Sequence, residues 1–324
     1  MVTNNKSIGG NGGLPPLLED IHQAGGTAQP HTYTPTIHPY QLPLTQQDTP
    51  HPSYTDKNGK SYDPWPNGWG HSIPQDTTNT VRLIIKNYNS ISTKKDTPNV
   101  KLSNAVTDLH KLNVAIIAGQ EPCIDFKQKG QIQEIKYTFM RKFRSSRTTT
   151  SCSSCPAAVD TYLPGGTMLT TLGRWCGRIV DSGSDELGRW SWQKMLGKSG
   201  KIILIISAYR VSQTSLPGPT TAYAQQYQML LDKDKTNPQP KTQFIQDLIP
   251  FIQQAKERQE QIILALDANE EILSEDQQCP KHSISHLIQV TGLQDVYTTQ
   301  HKTIGDTSRS SNKKIDHVLI TPDL

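Results

Sequence analysis

From residue 81 onward, the sequence alternates short runs of β-branched residues with longer segments of helical period. Six runs have the length and composition of buried strands: VRLIIK (81–86), VAIIAG (114–119), GTMLTTL (166–172), KIILIISAY (201–209), QIILALDA (261–268) and IDHVLIT (315–321). Three segments space their apolar residues by three and four: LSNAVTDLHKLN (102–113), TAYAQQYQMLL (221–231) and TQFIQDLIPFIQQAKERQ (242–259). Pro250 is expected to kink or split the last of these helices. The alternation predicts an α/β domain.

Residues 1–80 have a different composition. They hold 11 of the 22 prolines, 9 of the 22 glycines and 5 of the 10 histidines, without a sustained apolar period. Such a segment buries too little apolar surface to offset the conformational entropy lost on ordering. We therefore expect a disordered or low-complexity arm over residues 1–80, followed by a folded domain over residues 81–324.

Charge divides the chain at the same place. The arm carries 3 Lys and 6 Asp or Glu, a net charge of −3, whereas the remainder carries 30 basic and 23 acidic residues, a net charge of +7. The cations are densest in IKYTFMRKFRSSRTTTS (135–151), where aromatic residues separate them. This stretch is either a solvated edge strand that runs into a loop or a contact with a nucleic-acid backbone. Under the second interpretation, Arg141, Lys142 and Arg144 bind the substrate.

Neither the N-terminal sequence nor the cysteine pattern indicates export. MVTNNKSIGG lacks the charged and apolar regions of a signal peptide, and no apolar run approaches the ~18 residues of a membrane span. Five cysteines fit a reducing compartment. Cys279, His282 and His286 could supply three zinc ligands, but a polar helix start is the preferred interpretation because a closed site needs a fourth ligand. We expect an intracellular protein that is neither secreted nor bound in a membrane.

Polar residues stand where several of the predicted strands begin or end. They are Asn87, Glu121, Tyr209, Arg210, Asp267, Asn269 and Asp316. Each has an ordinary explanation by itself, such as a turn cap or a charged strand edge. Together they fit a different one, because side chains at strand ends converge on a crevice at one edge of an α/β sheet. Carboxylates and carboxamides gathered there can hold Mg²⁺.

The motifs around these residues resemble a known family. IIKNYNSI, IIAGQEP, ISAYR, LALDANE and KKIDHVLI are similar, in this order, to the motifs of the endonuclease/exonuclease/phosphatase family, which includes DNase I, abasic-site endonucleases and retrotransposon endonucleases. YLPGGTMLTTLGRW looks like the glycine-rich strand of the retrotransposon type. The resemblance covers about residues 81–321. It implies a DNase I-like four-layer α/β sandwich, with two packed mixed sheets flanked by helices.

The resemblance also implies roles for single residues. Glu121 is expected to be the main ligand of Mg²⁺, for which Mn²⁺ is a possible substitute, with Asn87 in the same site. Asp267 is expected to orient or deprotonate the attacking water, while Asn269 and Tyr209 hold the phosphate and Arg210 contacts the substrate. The implied function is Mg²⁺-dependent hydrolysis of DNA by a retrotransposon-type endonuclease, with a nuclear location. The alternatives are a phosphomonoesterase or lipid phosphatase of the same fold, and a catalytically dead relative that binds nucleic acid.

One family motif is missing. Relatives carry a Ser-Asp-His motif on a strand after the one that holds Asp316, and its His partners the Asp of the earlier motif. Here the sequence stops at Leu324, so we expect a domain that lacks its last strand or strands and has weak activity or none. His317 is a poor substitute because neighbouring strand residues point to opposite faces. His301, in the preceding loop, is a freer candidate.

Overall fold

The structure, a computed structural model, describes residues 54–55, 61–62, 80–91, 100–156, 162–213, 220–233, 236–274, 277–300, 307 and 313–324. The chain divides into two units, Met1–Pro66 and Asn67–Leu324. In the first unit, β1 (Tyr54–Thr55) pairs antiparallel with β2 (Ser61–Tyr62). Almost all of the predicted arm lies outside the described residues, so its disorder and its boundary at residue 80 stay predictions.

The described strands of the second unit form two mixed sheets. Their bounds are β3 (Leu83–Asn87), β4 (Ile116–Gln120), β5 (Ser146–Ser151), β6 (Thr167–Leu172), β7 (Ile179–Ser184), β8 (Trp190–Leu196), β9 (Ile202–Tyr209), β10 (Gln261–Asp267), β11 (Gln294–Asp295) and β12 (Asp316–Ile320). One sheet has the order β3-β4-β6-β5, and the other has the order β11-β12-β10-β9-β8-β7. The strands β3 and β4 are parallel, as are β9 and β10.

Helices cover the outer faces of both sheets. Their bounds are α1 (Val100–Lys111), α2 (Lys129–Met140), α3 (Ala222–Asp232), α4 (Pro240–Glu257), α5 (Ile284–Thr291) and α6 (Val296–Gln300). Leu102 of α1 and Phe139 of α2 pack with Ile117 of the four-stranded sheet. Leu248 of α4 and Leu287 of α5 pack with the six-stranded sheet. None of the described helices has both the length and the apolar character needed to cross a bilayer.

The two sheets pack face to face through a core that is partly polar. Ile116 and Leu169 of the smaller sheet meet Ile205 and Ala265 of the larger one. Beside this apolar cluster, the buried Gln120 amide donates to the Ser207 hydroxyl at 3.3 Å, so a polar contact joins the two sheets. The layers therefore run helix, sheet, sheet, helix, which confirms the predicted four-layer α/β sandwich.

The predicted elements are present, but several further ones were missed. The six predicted strands and three predicted helices all occur within a few residues of their expected bounds, and Pro250 does not split α4. Pro250 lies on the exposed face of that helix, where water can bond the carbonyl that it leaves free. The missed elements include α2 and the strands β5, β7 and β8.

The basic stretch over residues 135–151 is not an edge strand that runs into a loop. It begins inside α2, whose buried residues Gln131, Ile135, Thr138 and Phe139 follow the helical period, and ends in β5. In β8, polar side chains pack between the sheets, as Ser191 and Gln193 do, whereas most residues of β7 are polar and exposed or half-buried. A search for apolar alternation passes over such strands.

Candidate active site

The polar residues at the strand ends come together at one edge of the sandwich. We call this edge the acidic rim and define it by Asn87, Glu121, Tyr209, Asp267 and Asp316. Tyr209 and Asp267 are register partners on the parallel strands β9 and β10, and Asp267 and Asp316 are register partners on the antiparallel strands β10 and β12. Because these pairings fix the strand ends side by side, three elements bring their polar groups to the same place.

Asn87 connects the two sheets at this rim. Its amide nitrogen donates to Glu121 Oε2 and to Asp267 Oδ2, both at 2.8 Å. Its amide oxygen accepts from the backbone N–H of Asn89 at 2.8 Å, which fixes the orientation of the amide. One carboxamide from the smaller sheet therefore holds a carboxylate from each sheet.

The backbone around the site is held in uncommon conformations. Glu121 has φ of 48° and Asn269 has φ of 47°, in the left-handed region that non-glycine residues seldom adopt. The backbone N–H of Glu121 donates to the carbonyl of Gly166 at 3.1 Å, and Gly166 itself has φ of +84°. A Cβ at residue 166 would lie 2.9 Å from the Ser151 carbonyl oxygen, so the turn requires glycine. Strain of this kind collects at functional sites.

Negative charge is concentrated at the acidic rim. The pKa of Asp267 is raised to about 7, mainly by burial and also by the charges of Asp316 and Glu121, while the hydrogen bonds from Asn87 and from the backbone N–H of Asn269 oppose the rise. Burial also raises the pKa of Asp316, with a further contribution from Glu121 and an opposing hydrogen bond from Thr307. Three carboxyl groups thus affect one another at a rim where Asp267 is buried and Glu121 and Asp316 are half-buried. Such a site favours either a bound proton or a cation.

Tyr209 and Asn269 lie beside the carboxylates. Burial raises the pKa of Tyr209 well above its ordinary range, and its hydrogen bond with Glu121 adds to that effect, so the phenol stays protonated and acts as a donor. Asn269 donates through its backbone N–H to Asp267 Oδ1 at 3.2 Å and through its side chain to the Arg210 carbonyl at 2.8 Å. A second N–H remains on that amide.

The donor set suits a hard divalent cation. Within the described residues, no group of three or more His, Cys, Asp or Glu side chains converges as a metal site. Glu121 is a half-buried carboxylate at a rim with excess negative charge, and the Asn87 amide nitrogen donates to it at 2.8 Å, while the Asn87 amide oxygen accepts from Asn89. Mg²⁺ commonly takes only one or two carboxylates from the protein and completes its octahedron with water and phosphate oxygens. The carboxylate of Glu121 therefore fits Mg²⁺ as a protein ligand, whereas Asn87 would fit only with its amide turned so that the oxygen takes the place of the nitrogen beside Glu121.

Arg210 does not face the crevice. Its side chain is buried and its guanidinium pairs with Glu270, while Nη2 donates to the His282 carbonyl at 3.1 Å and Nε donates to the Lys241 carbonyl at 3.2 Å. All three nitrogens are thus occupied by protein acceptors. The geometry argues against the predicted contact with substrate and assigns Arg210 to the support of the loop that follows β10.

Arg141, Lys142 and Arg144 lie at the opposite edge of the sandwich. They precede β5, whose first residue, Ser146, pairs with Leu172 at the far end of β6, whereas Ser151 and Thr167 pair next to the acidic rim. With seven residues at about 3.3 Å each, β10 spans roughly 20 Å between the two edges. The three cations are exposed and lie away from the acidic rim, so their contact with a nucleic-acid substrate stays a prediction.

His317, one of the two histidines considered as substitutes, does not face the acidic rim. His317 is 1% exposed, and its Nε2 hydrogen-bonds the Glu270 carbonyl at 2.9 Å, on the face of β12 opposite to Asp316. Burial lowers its pKa, with an opposing contribution from that hydrogen bond. His301 lies outside the described residues.

Some residues that build the site were not predicted. The ammonium of Lys101 donates to three successive carbonyls after β3, those of Tyr88, Asn89 and Ser90, and so fixes the loop that follows Asn87. Glu270 holds both Arg210 and the backbone N–H of Ile284 at 3.1 Å. The sequence carries no period or spacing that marks these contacts, although Glu270 stands next to the Asp-x-Asn motif that was recognised.

Neither a family model nor a curated protein matches this sequence. Solved structures do match in fold. The AP endonuclease LMAP from Leishmania major has a TM-score of 0.50 at 11% identity, over 75% of this chain and 80% of that one. The human Nocturnin catalytic domain with bound sulfate has a TM-score of 0.47 at 12% identity, over 75% of this chain and 83% of that one. An AP endonuclease from Archaeoglobus fulgidus has a TM-score of 0.45 at 14% identity, over 76% and 88% of the two chains.

At these identities the likeness concerns the fold alone. The TM-score of 0.50 over three quarters of the chain agrees with the two mixed sheets and their flanking helices described above. The described part of the second unit therefore has the DNase I-like fold of the endonuclease/exonuclease/phosphatase family.

Proposed function

We propose that this protein hydrolyses phosphodiester bonds of DNA with the help of Mg²⁺. The observation that carries the proposal is the pair of hydrogen bonds at the acidic rim, in which the Asn87 amide nitrogen donates to Glu121 and Asp267 at 2.8 Å each. These bonds hold a candidate cation ligand, Glu121, and a candidate base, Asp267, on either side of one carboxamide. Phosphodiester hydrolysis needs both an activated water and charge neutralisation on the phosphate.

Asp267 is the candidate group for water activation. A general base works best when its pKa lies close to the operating pH, and burial has raised the pKa of Asp267 to about 7. The backbone N–H of Asn269 and the amide of Asn87 hold its two oxygens in place. Asp267 can therefore take a proton from a water molecule that lies between it and the phosphorus atom.

Tyr209 and Asn269 are the candidate donors to the phosphate. The Tyr209 hydroxyl stays protonated and lies within hydrogen-bond reach of Glu121, so it can move its donor bond to a phosphate oxygen when Glu121 binds the cation. The second amide N–H of Asn269 is directed by the bond that the first one makes with the Arg210 carbonyl. Both donors need little rearrangement to stabilise charge on a non-bridging oxygen.

Glu121 and Asn87 are the candidate ligands of Mg²⁺, which when bound supplies Lewis-acid stabilisation of the phosphate and its leaving oxygen. The loop that carries Glu121 is fixed by Gly166, and the loop after Asn87 is fixed by Lys101. The backbone around both residues is thus fixed, and the Asn87 amide would turn its oxygen toward a bound cation. A cation at this place also offsets the repulsion among Glu121, Asp267 and Asp316.

The charge of the chain favours DNA over a phosphomonoester as the substrate. Residues 81–324 carry a net charge of +7, which suits a polyanionic substrate. The retrotransposon-type assignment rests on the sequence motifs and is kept as part of the proposal. Fold alone does not decide the substrate.

A plasmid-nicking assay tests the proposal. Supercoiled plasmid is incubated with an excess of the full chain in Mg²⁺, in Mn²⁺ or in EDTA, together with Glu121→Gln and a control, Glu257→Gln, which changes an exposed carboxylate at the end of α4. We expect nicking that depends on the divalent cation, persists in the control and falls by at least about a hundredfold in Glu121→Gln.

Three other results would each overturn it. Equal nicking by Glu121→Gln points to a contaminating nuclease or another site. Release of phosphate from p-nitrophenyl phosphate without nicking supports the phosphomonoesterase alternative. Binding of DNA by a folded chain that neither nicks plasmid nor releases phosphate supports a catalytically dead nucleic-acid-binding protein.

A further inference from the structure

Three basic segments lie at the edge of the sandwich opposite the acidic rim. They are residues 141–147 (RKFRSSR), residues 173–178 (GRWCGR) and residues 197–201 (GKSGK). Together they contain eight Lys or Arg residues and no Asp or Glu. We call this edge the basic rim and define it by these three segments.

Strand direction explains why the three segments meet. Residues 141–147 lead into β5 and residues 173–178 connect β6 to β7, while residues 197–201 connect β8 to β9. The start of β5 pairs with the end of β6, and the starts of β7 and β9 pair with the end of β8. Cations that are far apart in the sequence therefore share one end of two stacked sheets.

Hydrogen bonds join the segments to one another. The backbone N–H of Gly173 donates to the Ser145 carbonyl at 2.8 Å, and Arg147 donates to the Ile179 carbonyl at 3.3 Å. Arg178 donates to the Leu196 carbonyl at 3.1 Å, next to the third segment. The basic rim is therefore a continuous and fixed surface.

The cations of this surface have few partners of opposite charge. All eight residues are exposed, and seven of them form no ion pair within the described part of the chain, namely Arg141, Lys142, Arg144, Arg147, Arg178, Lys198 and Lys201. Glu134 of α2 interacts with Arg141, and Asp108 pairs with Lys111 of α1 at 3.7 Å. Positive charge therefore exceeds negative charge on these three segments, which indicates a polyanionic partner.

We infer that the basic rim is a second nucleic-acid-binding surface, separate from the candidate active site. Five of its eight cations are arginines, whose planar guanidinium groups can each form two hydrogen bonds with phosphate oxygens. The indole of Trp175 supports two of them, since the guanidinium carbons of Arg174 and Arg178 lie 5.0 and 5.7 Å from its ring centroid. An aromatic ring between two guanidiniums can also receive an unpaired base.

The nucleic acid reaches this surface along its sugar-phosphate backbone. Phosphates follow each other at about 3.4 Å along one strand of a duplex, so a rim of roughly 20 Å faces about six of them. The inference goes beyond the proposed hydrolysis and does not need it, because a phosphate contact at the basic rim requires neither Glu121 nor a cation. Bound there, nucleic acid would stay attached to the protein while the acidic rim works about 20 Å away.

A binding experiment on full-length chains tests the inference. The rim variant is Lys142→Gln, Arg144→Gln and Lys198→Gln, and the matched control is Lys129→Gln, Lys136→Gln and Lys281→Gln, which removes the same charge from exposed residues outside the three segments. Binding of a fluorescein-labelled DNA duplex of two helical turns is measured by anisotropy in EDTA over a range of salt. EDTA prevents hydrolysis, so failure here is distinct from failure of the proposed function.

We expect the rim variant to bind the duplex at least about tenfold more weakly near 0.1 M salt, with a salt slope reduced by about 2 to 3. The control variant should keep most of the slope. Equal slopes in the rim variant and the unaltered chain would overturn the inference. Loss of binding to phosphatidylserine vesicles, with duplex binding unchanged, would also overturn it and assign the surface to anionic membranes.

A second measurement uses the unaltered chain. Photocrosslinking to DNA that contains 5-bromodeoxyuridine, followed by mass spectrometry, should place crosslinks on peptides that contain Phe143 or Trp175. Crosslinks confined to peptides of the acidic rim would contradict the inference even if the rim variant fails to fold.

Discussion

The acidic rim and the basic rim lie at the two ends of the same strands, yet their charged groups differ in sign, burial and hydrogen bonding. At the acidic rim, carboxyl groups are buried, bonded by Asn87 and Tyr209 and carried by strained backbone. At the basic rim, exposed cations lie on short connections with little burial. Burial strengthens electrostatic interactions and fixes geometry, whereas exposure leaves long side chains free to meet a partner. The first arrangement suits chemistry on one bond, and the second suits binding along a polymer.

The largest expected effect comes from Asp267→Asn. The change keeps the shape of the side chain but removes the base, so nicking should fall by about 10² to 10⁴. The folded chain should become more stable, since a buried carboxyl group that is repelled by its neighbours is replaced by a neutral amide. Initial rates and urea unfolding check both effects, with Asp323→Asn, an exposed residue, as the control. Lower stability in Asp267→Asn would contradict the charge account of the acidic rim.

The variant Arg210→Met tests whether Arg210 supports the loop after β10 or binds the substrate. The substitution leaves Glu270 without its buried partner and frees two backbone carbonyls, so we expect a loss of about 3 kcal/mol in the free energy of unfolding. Lys313→Met removes the exposed ion pair with Glu271 and should cost under about 1 kcal/mol. Urea unfolding compares the two variants. Unchanged stability together with a raised KM for DNA would restore the substrate role of Arg210.

The stability of the metal-free chain should fall as the pH rises from about 4 to about 7. The pKa of Asp267 is raised from 3.8 to about 7, so in this range the folded state binds more protons than the unfolded state. The contribution of Asp267 to stability is then highest below pH 4, and its loss by pH 7 is about 4 kcal/mol, since the pKa differs by about three units at about 1.4 kcal/mol each. Unfolding in EDTA across this range checks it. Asp267→Asn should flatten the profile, and an equally steep profile in that variant would assign the effect to other groups.

The smallest effect is expected at the basic rim. Removing three exposed cations in Lys142→Gln, Arg144→Gln and Lys198→Gln should change the free energy of unfolding by less than about 0.5 kcal/mol, because solvent screens their mutual repulsion. Thermal melts at low and high salt measure this. A change of several kcal/mol would show that the cations support the fold, and the contrast between the two rims would then be weaker than stated.

The sequence predicted the framework of the site because its residues stand at strand ends. Asn87, Tyr209 and Asp267 follow strands whose β-branched runs are unmistakable, and parallel strands bring their ends to one edge. The strands β5 and β7 were missed because they are rich in polar residues, and β8 was missed because Gln193 faces the interior between the sheets. Burial of Gln193 is made favourable by a partner in another strand, through the 2.6 Å bond from Thr171, and a local pattern does not reveal such a partner.

By itself, the sequence determined the α/β class and the order of the polar motifs, since apolar periods and turn residues act over a few neighbouring positions. Only the tertiary structure decided which charges meet. In the tertiary structure, Arg210 pairs with Glu270, and Arg144 lies the length of the strands away from Glu121. Three basic segments that are distant in the sequence lie at one edge. The physical reason is that charged groups interact across space, whereas the sequence gives only their order along the chain. Strand register decides which residues of that order become neighbours in space.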